Sequence, residues 1–223
     1  GLVDRLGKRR AIVGGLLLNA GAYLLLPRLA GSLQSGLAGV FLGNAGGISR
    51  TIVLGELDVY LLQPKPVLPS LLASRMSVSA WGDILYGIVL YAVTQPLSAG
   101  QVALFLLFSV LFCLVLASVR VLYHSLTFFL GNAEEFAGTA SDLVLAFCLY
   151  PGSIFEGPAT MVLHSLIPAA LVAWIPIELF QSFSWIRLGV LVGADAVVVS
   201  AALLVFKLGL RRYESGNRIG ARM

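Results

Sequence analysis

The feature that most constrains this chain is the run of residues 102–122, which is apolar apart from Ser109, Ser118 and Arg120. A helix needs about 20 predominantly apolar residues to cross the hydrocarbon core of a bilayer. Similar runs recur along the sequence, in which 58% of residues are hydrophobic and only 12% are charged. Soluble domains carry about 25% charged residues. The pattern therefore predicts an all-α polytopic membrane protein.

Six membrane spans are predicted, and together they form a single transmembrane domain that covers residues 1–223. The first is interpreted as a span, because its apolar run is long for a signal peptide and no small-residue cleavage site follows. The second is rich in glycine, which lets helices approach closely, so we expect it to pack inside the protein. The spans lie at about residues 11–30, 33–54, 78–95, 101–123, 135–152 and 187–208.

The distribution of cations sets the orientation of these spans. Lysine and arginine concentrate on the cytoplasmic side of membrane proteins, which places the basic C-terminal tail and Arg120 in the cytosol. With six crossings, thirteen of the fifteen Lys and Arg residues lie inside, and only Arg28 and Arg187 lie outside. An odd number of crossings must then separate Arg120 from the start of the last span.

Two apolar pieces compete for that crossing. Residues 159–179 are the more hydrophobic piece, but Pro168 and Pro176 interrupt them, and a proline removes a helix hydrogen bond. We therefore favour a crossing at 135–152 and a re-entrant helical hairpin on the outer side at residues 158–180. A crossing at 159–179 is the alternative.

Motifs of soluble active sites are missing from the sequence. It contains no GxxxxGK[ST], HExxH, CxxC or GxSxG. His124 and His164 are better explained as hydrogen-bonded histidines than as a metal pair, and Cys113 and Cys148 as buried free thiols. The net charge of +4 comes without a basic stripe, so nucleic acid is not an expected partner. We expect no catalytic residue and no metal site.

Asp195 lies near the middle of the last apolar run. A charge at that depth costs at least ~2.5–3.5 kcal/mol, so such a residue usually faces a partner, a cavity or water. It is a candidate for the translocation path or for proton coupling. The alternative is a buried, protonated or paired acid that fixes helix packing. Acids near the ends of the apolar runs, where solvation is ordinary, are Asp83, Glu134, Glu135, Asp142 and Glu178.

Residues 55–75, "GELDVYLLQPKPVLPSLLASR", separate the second and third spans and are called the connector. A short helix is expected to continue the second span there, with Glu56 and Asp58 toward water and three leucines toward the membrane. Prolines then stop the helix and fix an extended bend. The connector is either an interfacial loop or a rigid docking element for a cytosolic partner. The leucines are Leu57, Leu61 and Leu62, and the prolines are Pro64, Pro66 and Pro69.

The connector, followed by "SAWGDILYG", resembles the cytosolic connector of ABC-2-type transporter permeases. It is most similar to the "ABC-2 family transporter protein" branch, in which a G-E-L-D-x-Y-L-L-x-P pattern recurs. "YPGSIFEGPATMVLHSLIPAALVAWIPIEL" looks like the outer segment of that branch, and "GLRRYES" looks like its C-terminal end. The resemblance extends over residues 39–215.

The resemblance implies a six-span permease that pairs as a homodimer or heterodimer and docks onto two cytosolic ATPase subunits, most often for export. ATP and Mg²⁺ would bind the ATPase, so no cofactor is expected in this chain. The hairpin at 158–180, with Pro168 and Pro176, would form an outer gate. The coupling role would fall on Glu56, Leu57, Asp58, Tyr60 and Leu61.

Two other functions stay open at this point. An ion- or proton-coupled secondary transporter would use Asp195, although the inverted repeats common in such folds are not apparent. A membrane-embedded enzyme or assembly factor would need convergent polar residues, which the sequence does not offer. The expected location is the cytoplasmic (inner) membrane of a prokaryote, with the C-terminus in the cytosol. Lipids, drugs, peptides and glycans fit an apolar path equally well as substrates.

Overall fold

The computed structural model describes residue 33 and residues 36–94, 98–148 and 175–214. Across these ranges the chain is helical and forms no strand, which confirms the all-α class. The predicted span at 11–30 and most of the predicted hairpin lie outside the described residues. The helices are α1 (residues 36–41), α2 (Ile48–Val53), α3 (Leu57–Leu61), α4 (Val67–Leu72), α5 (Ala80–Thr94), α6 (Ala99–Ser125), α7 (Thr127–Leu130), α8 (Glu134–Cys148), α9 (Ile175–Gln181) and α10 (Trp185–Leu210).

Two of the described helical segments are long and apolar enough to cross a membrane. One runs over Ala99–Leu130, through α6 and α7, and the other is α10. The helix α5 is apolar but shorter, and α8 has 15 residues. The six-span arrangement as a whole therefore stays a prediction.

The long helix α6 is the centre of the described structure. It begins after Ser98, whose side-chain oxygen accepts a hydrogen bond from the Gln101 backbone N–H at 3.4 Å. Different positions along α6 contribute to each of four hydrophobic clusters, from Phe105 near one end to Val121 near the other. The other described helices therefore pack around α6.

Helix α10 runs parallel to α6. Its early residue Leu191 packs with Phe108, and its late residue Phe206 lies in the same cluster as Val121. Helix α8 returns in the opposite direction, because it begins just beyond the end of α6 and its Val144 packs against the middle of α6. The chain therefore reverses its direction between α6 and α8 and reverses it again between α8 and α10.

The start of α8 carries two acids and a hydrogen bond to a residue that precedes the helix. Glu134 and Glu135 lie in its first turn, where carboxylates complement the helix dipole. The Asn132 side-chain oxygen accepts a hydrogen bond from the Glu134 backbone N–H at 3.4 Å. These residues fix where the chain turns back along α6.

Glycines bring α1 and α5 into close contact, as expected for the predicted second span. A Cβ added at Gly36 would lie 2.6 Å from Ile84 Cγ1, and one at Gly39 would lie 2.7 Å from Ala80 Cβ. From the α5 side, a Cβ at Gly87 would lie 2.8 Å from Leu33 Cβ. The close helix approach predicted from the glycines of residues 33–54 is confirmed, and Gly87 of α5 contributes to the same contact.

The predicted span at 33–54 is not one continuous helix. The helix α1 ends at residue 41, a 3₁₀ turn follows at Ala45–Gly47, and α2 then begins at Ile48. Asn44 lies in this break and is buried. The interruption separates the α1–α5 contact from α2, which packs against the end of α6 instead.

Candidate functional site

The connector leaves α2 through a turn at residues 54–56, so α3 does not continue the second span as expected. Leu54 ends α2, and its backbone N–H donates to the Arg50 carbonyl at 2.9 Å. Gly55 then has φ +73°, a left-handed conformation that costs glycine little and side-chain-bearing residues more. This turn redirects the chain into α3.

The helix α3 has a buried side and an exposed side. Leu57 is 0% exposed, so the expectation that it faces the membrane is wrong, because it packs in the protein core. Tyr60 is half-buried and packs against the same cluster. Glu56 is exposed, as expected for a residue facing water, and Asp58 is intermediate. Leu61 is also exposed, and its predicted orientation toward the membrane stays a prediction. The five predicted coupling residues are thus divided between the two sides.

The connector prolines do only part of what was expected. The helix α3 ends at Leu61, and Pro66 is extended, with ψ 125°. Pro69, however, lies in the first turn of α4, where a missing N–H is tolerated. Residues 67–72 therefore form a helix and not an extended bend.

Buried side chains attach the connector to the ends of the two long helices. Leu57 of α3 and Leu68 and Leu71 of α4 are buried in one hydrophobic cluster, which also contains residues of α2, α6 and α10. We call this cluster the connector core. Its buried members are Ile48, Ile52, Leu57, Leu68, Leu71, Val121, Ala202 and Phe206.

Asn44 holds the α1–α2 break against α4. Its side-chain amide donates hydrogen bonds to the Leu71 carbonyl at 3.1 Å and to Ser74 Oγ at 2.8 Å. Its backbone N–H donates to the Leu72 carbonyl at 3.2 Å. A buried amide with these partners fixes the position of α4, because an unmet hydrogen bond at a buried group costs about 1–3 kcal/mol.

A second buried polar group joins α2 to the end of α6. Ser49 Oγ lies 2.7 Å from His124 Nδ1, and Thr127 Oγ1 donates to Ser49 Oγ at 2.8 Å. All three side chains are at most 4% exposed. We call these three residues the clasp. His124 is thus hydrogen-bonded, as expected, while His164 lies outside the described residues.

Asp195 lies on the side of α10 that is buried. It is 4% exposed, and neither carboxylate oxygen has a hydrogen-bond partner among the described residues. It shares this side of α10 with Leu191, which packs against α6, and with Ala202 and Phe206, which belong to the connector core. An acid therefore interrupts an otherwise apolar helix contact.

The predicted outer-gate residues are only partly described. Pro176 is buried in the first turn of α9, and Pro168 lies outside the described residues. Glu178 of α9 is exposed and forms a 3.7 Å ion pair with Arg187. Exposed pairs of this kind contribute little to stability.

The remaining sequence candidates act as ordinary structural residues. Cys113 is a buried free thiol, and Asp83 and Asp142 are exposed. No cluster of three or more metal-ligating side chains occurs within the described ranges. The side chain of Cys148 lies outside what the structure describes.

Sequence reasoning missed two kinds of site residue. Val59, which is 60% exposed, was assigned no role, and Leu62, which is 87% exposed, was assigned only to the membrane face and not to docking. Asn44, Ser49 and Thr127 form the buried polar contacts. The available signal was a polar residue inside an apolar or glycine-rich run, but its partner lies up to 78 residues away in sequence.

A comparison with protein families identifies the same region of the chain. A family model described as "ABC-2 family transporter protein" matches residues 22–217. Neither the curated proteins nor the solved structures include a match to this chain. The match covers the connector, the clasp and Asp195, together with all of the described helices.

Proposed function

The chain belongs to the ABC-2 family of transporter proteins, and we propose that it is the permease subunit of an ATP-driven exporter. As a family member it is a multi-pass membrane transport component and not itself a catalyst. In our proposal, a dimer of cytosolic ATPase subunits binds ATP and Mg²⁺, and a second permease copy or a paralogue completes the path. The membrane is the inner membrane of a prokaryote, and the C-terminus is cytosolic.

The observation that carries this proposal is the two-sided connector. Its buried side, with Leu57, Leu68 and Leu71, belongs to the core that holds the ends of α6 and α10. Its other side exposes Glu56, together with two apolar side chains, Val59 and Leu62. A segment anchored inward and apolar outward is suited to receive a partner protein and to pass on its movement.

Charge and apolar contact have separate roles in this docking. Glu56 and Asp58 give the connector an acidic end, and complementary charges favour rapid and specific association. Large apolar side chains buried at the centre of an interface supply much of the binding energy. Leu61 and Leu62 are exposed and suited to make these central apolar contacts with the ATPase. Leu57 is buried behind them and supports the docking surface from inside the protein.

The test is co-purification of this chain with a cytosolic ABC ATPase from the same cells. Wild-type protein is expected to retain the ATPase through size-exclusion chromatography, and Glu56→Lys/Asp58→Lys is expected to lose it because both local charges reverse. The control is Glu134→Lys/Glu135→Lys, which reverses two exposed charges on α8. Retention of the ATPase by the connector variant would contradict docking at this surface.

Asp195 is proposed to lie along the translocation path. Its burial without a hydrogen-bond partner among the described residues supports this, because a buried acid in a spanning helix usually serves a function. The outer gate is proposed to include Pro168 and Pro176.

We expect Asp195→Asn to lower export at least several-fold while ATPase binding is unchanged. Exported compounds are identified first, by comparing culture media of cells that carry an active or an inactive ATPase. The exposed residue Asp142 provides the control, Asp142→Asn. Unchanged export by Asp195→Asn would reduce Asp195 to a packing residue, and export driven by a proton gradient without ATP would overturn the ATP-driven mechanism.

A further inference from the structure

The clasp connects parts of the chain that are far apart in sequence. Ser49 of α2 contacts His124 at the end of α6, 75 residues away, and Thr127 of α7, 78 residues away. If Thr127 donates to Ser49, Ser49 can donate its own proton to His124 Nδ1, with the other ring nitrogen protonated. The His124 carbonyl, 3.3 Å from Ser49 Oγ, is a second acceptor for the same proton.

Such a network restrains movement in a way that apolar contacts do not. Ile48, next to Ser49 in sequence, and Val121, close to His124, belong to the connector core, whose apolar contacts are not directional. Hydrogen bonds in a site closed to water are directional, and leaving one unmade costs about 1–3 kcal/mol. The clasp therefore fixes the rotation of α2 relative to α6.

The other end of the connector is also fixed to α2. Asn44, immediately before the turn that leads into α2, bonds the carbonyl of Leu71 and the hydroxyl of Ser74 at the end of α4. Movement of α3 and α4 is thereby passed to α2 and, through the clasp, to α6.

The link from the connector to α5 is different, although α5 follows it directly in sequence. Every residue from 73 to 79 is exposed. In this stretch the Ser77 backbone N–H donates to the Gly39 carbonyl at 3.0 Å, and Ser77 bonds Ser79. These contacts hold the start of α5 to α1 and to itself. Residues 73 and 74, in contrast, bond back to α4, through the Ala73 backbone N–H to the Pro69 carbonyl at 3.0 Å and Ser74 Oγ to the Leu71 carbonyl at 2.7 Å.

We infer that the clasp is the joint through which the connector moves the central helix α6. In this inference the movement reaches α6 in preference to α5, the helix that follows the connector in sequence. Ser49, His124 and Thr127 are then positioning residues for energy coupling. This inference rests on the proposed function, because it requires an ATPase that displaces the connector.

The test uses the complex of the full chain with its co-purified ATPase, in a background that carries Cys113→Ala and Cys148→Ala. Single cysteines labelled with an environment-sensitive fluorophore replace three exposed leucines: Leu62 of the connector, Leu114 of α6 and Leu85 of α5. Fluorescence is compared before and after the ATPase is trapped with ATP and vanadate. In the wild-type clasp, the labels at Leu62 and Leu114 are expected to respond.

In Ser49→Ala and Thr127→Val, the response at Leu62 is expected to persist and the response at Leu114 to be lost. His124→Asn keeps a polar atom near the Nδ1 position, so it is expected to retain the response at Leu114. His124→Phe has no such atom and is expected to lose this response. The controls are Ser109→Ala and Ser125→Ala. They remove equally buried hydroxyls, whose bonds go to carbonyls of their own helix, those of Phe105 and Val121.

The outcomes separate the inference from the proposed function. If the Leu114 response survives in folded Thr127→Val, or is equally lost in the Ser109 and Ser125 controls, the clasp is not the joint. If the Leu62 response is absent with an intact clasp, the connector does not receive the ATPase movement, and both proposals are overturned.

Discussion

A methyl group added at Gly36 would lie 2.6 Å from Ile84 Cγ1 and 2.7 Å from the Ile84 backbone nitrogen. Backbone atoms cannot rotate away as a flexible side chain can, so α1 and α5 would have to separate. Gly82 of α5 has no atom within 4 Å of its added Cβ. These two helical glycines therefore form a matched pair with opposite expectations.

We expect Gly36→Ala to lower the free energy of unfolding by about 1–3 kcal/mol, as overpacking does. Gly82→Ala should raise it by about 0.5–1 kcal/mol, because alanine loses less backbone entropy in a helix. Thermal unfolding of the purified protein in detergent, followed by tryptophan fluorescence, measures both. Equal effects of the two substitutions would show that α1 and α5 do not touch in this way.

Individual residues were predictable where the local sequence determines their environment. The glycines of residues 33–54 indicated close packing, and His124 was expected to be hydrogen-bonded. Asn44 and Ser49 were not assigned roles, because their partners lie on α4, α6 and α7. Composition reveals a polar residue in an apolar run but does not reveal which distant residue satisfies it.

At the scale of elements, the connector contains neighbouring leucines with opposite environments. Leu57 is 0% exposed and Leu62 is 87% exposed, although five positions separate them on one short segment. Leu57→Ala is expected to lower the free energy of unfolding by about 2–5 kcal/mol, since it leaves a cavity in the connector core. Leu62→Ala should stay within about 0.5 kcal/mol of wild type and weaken ATPase binding instead.

Unfolding measurements and ATPase retention on the two variants test this division. A stability loss for Leu62→Ala as large as that for Leu57→Ala would contradict the two-sided connector.

The sequence predicted a short helix stopped by prolines, and α3 does end before Pro64. It did not predict that Pro69 would lie in the first turn of α4, because proline is compatible both with a bend and with the first turn of a helix.

The whole molecule is arranged so that α6 and α10 run in the same direction. Their starting ends must therefore share one side of a membrane that both cross. Cysteines replacing the exposed residues Ser98 and Ser182 should react with a membrane-impermeant maleimide added outside intact cells. Cysteines replacing the exposed residues Leu62 and Arg212 should react only after the cells are opened.

Both labelling sets use the same background without Cys113 and Cys148. Reaction of Ser98→Cys and Ser182→Cys on opposite sides would contradict the parallel arrangement of α6 and α10.

The cation distribution predicted the parallel arrangement of α6 and α10, because it requires an odd number of crossings between the two helices. It could not predict the contacts between them, which depend on which face of each helix is buried.

Helix α6 contributes side chains to each of the four hydrophobic clusters in the described part of the chain, from Phe105 to Val121. The other described helices form no hydrophobic cluster without a residue of α6. During biosynthesis, the segments made before α6 have no completed interior until it arrives, and those made afterward assemble onto a helix already in place. A fragment ending before Ala99 would keep the contact between α1 and α5 but would lack α6, which completes the connector core.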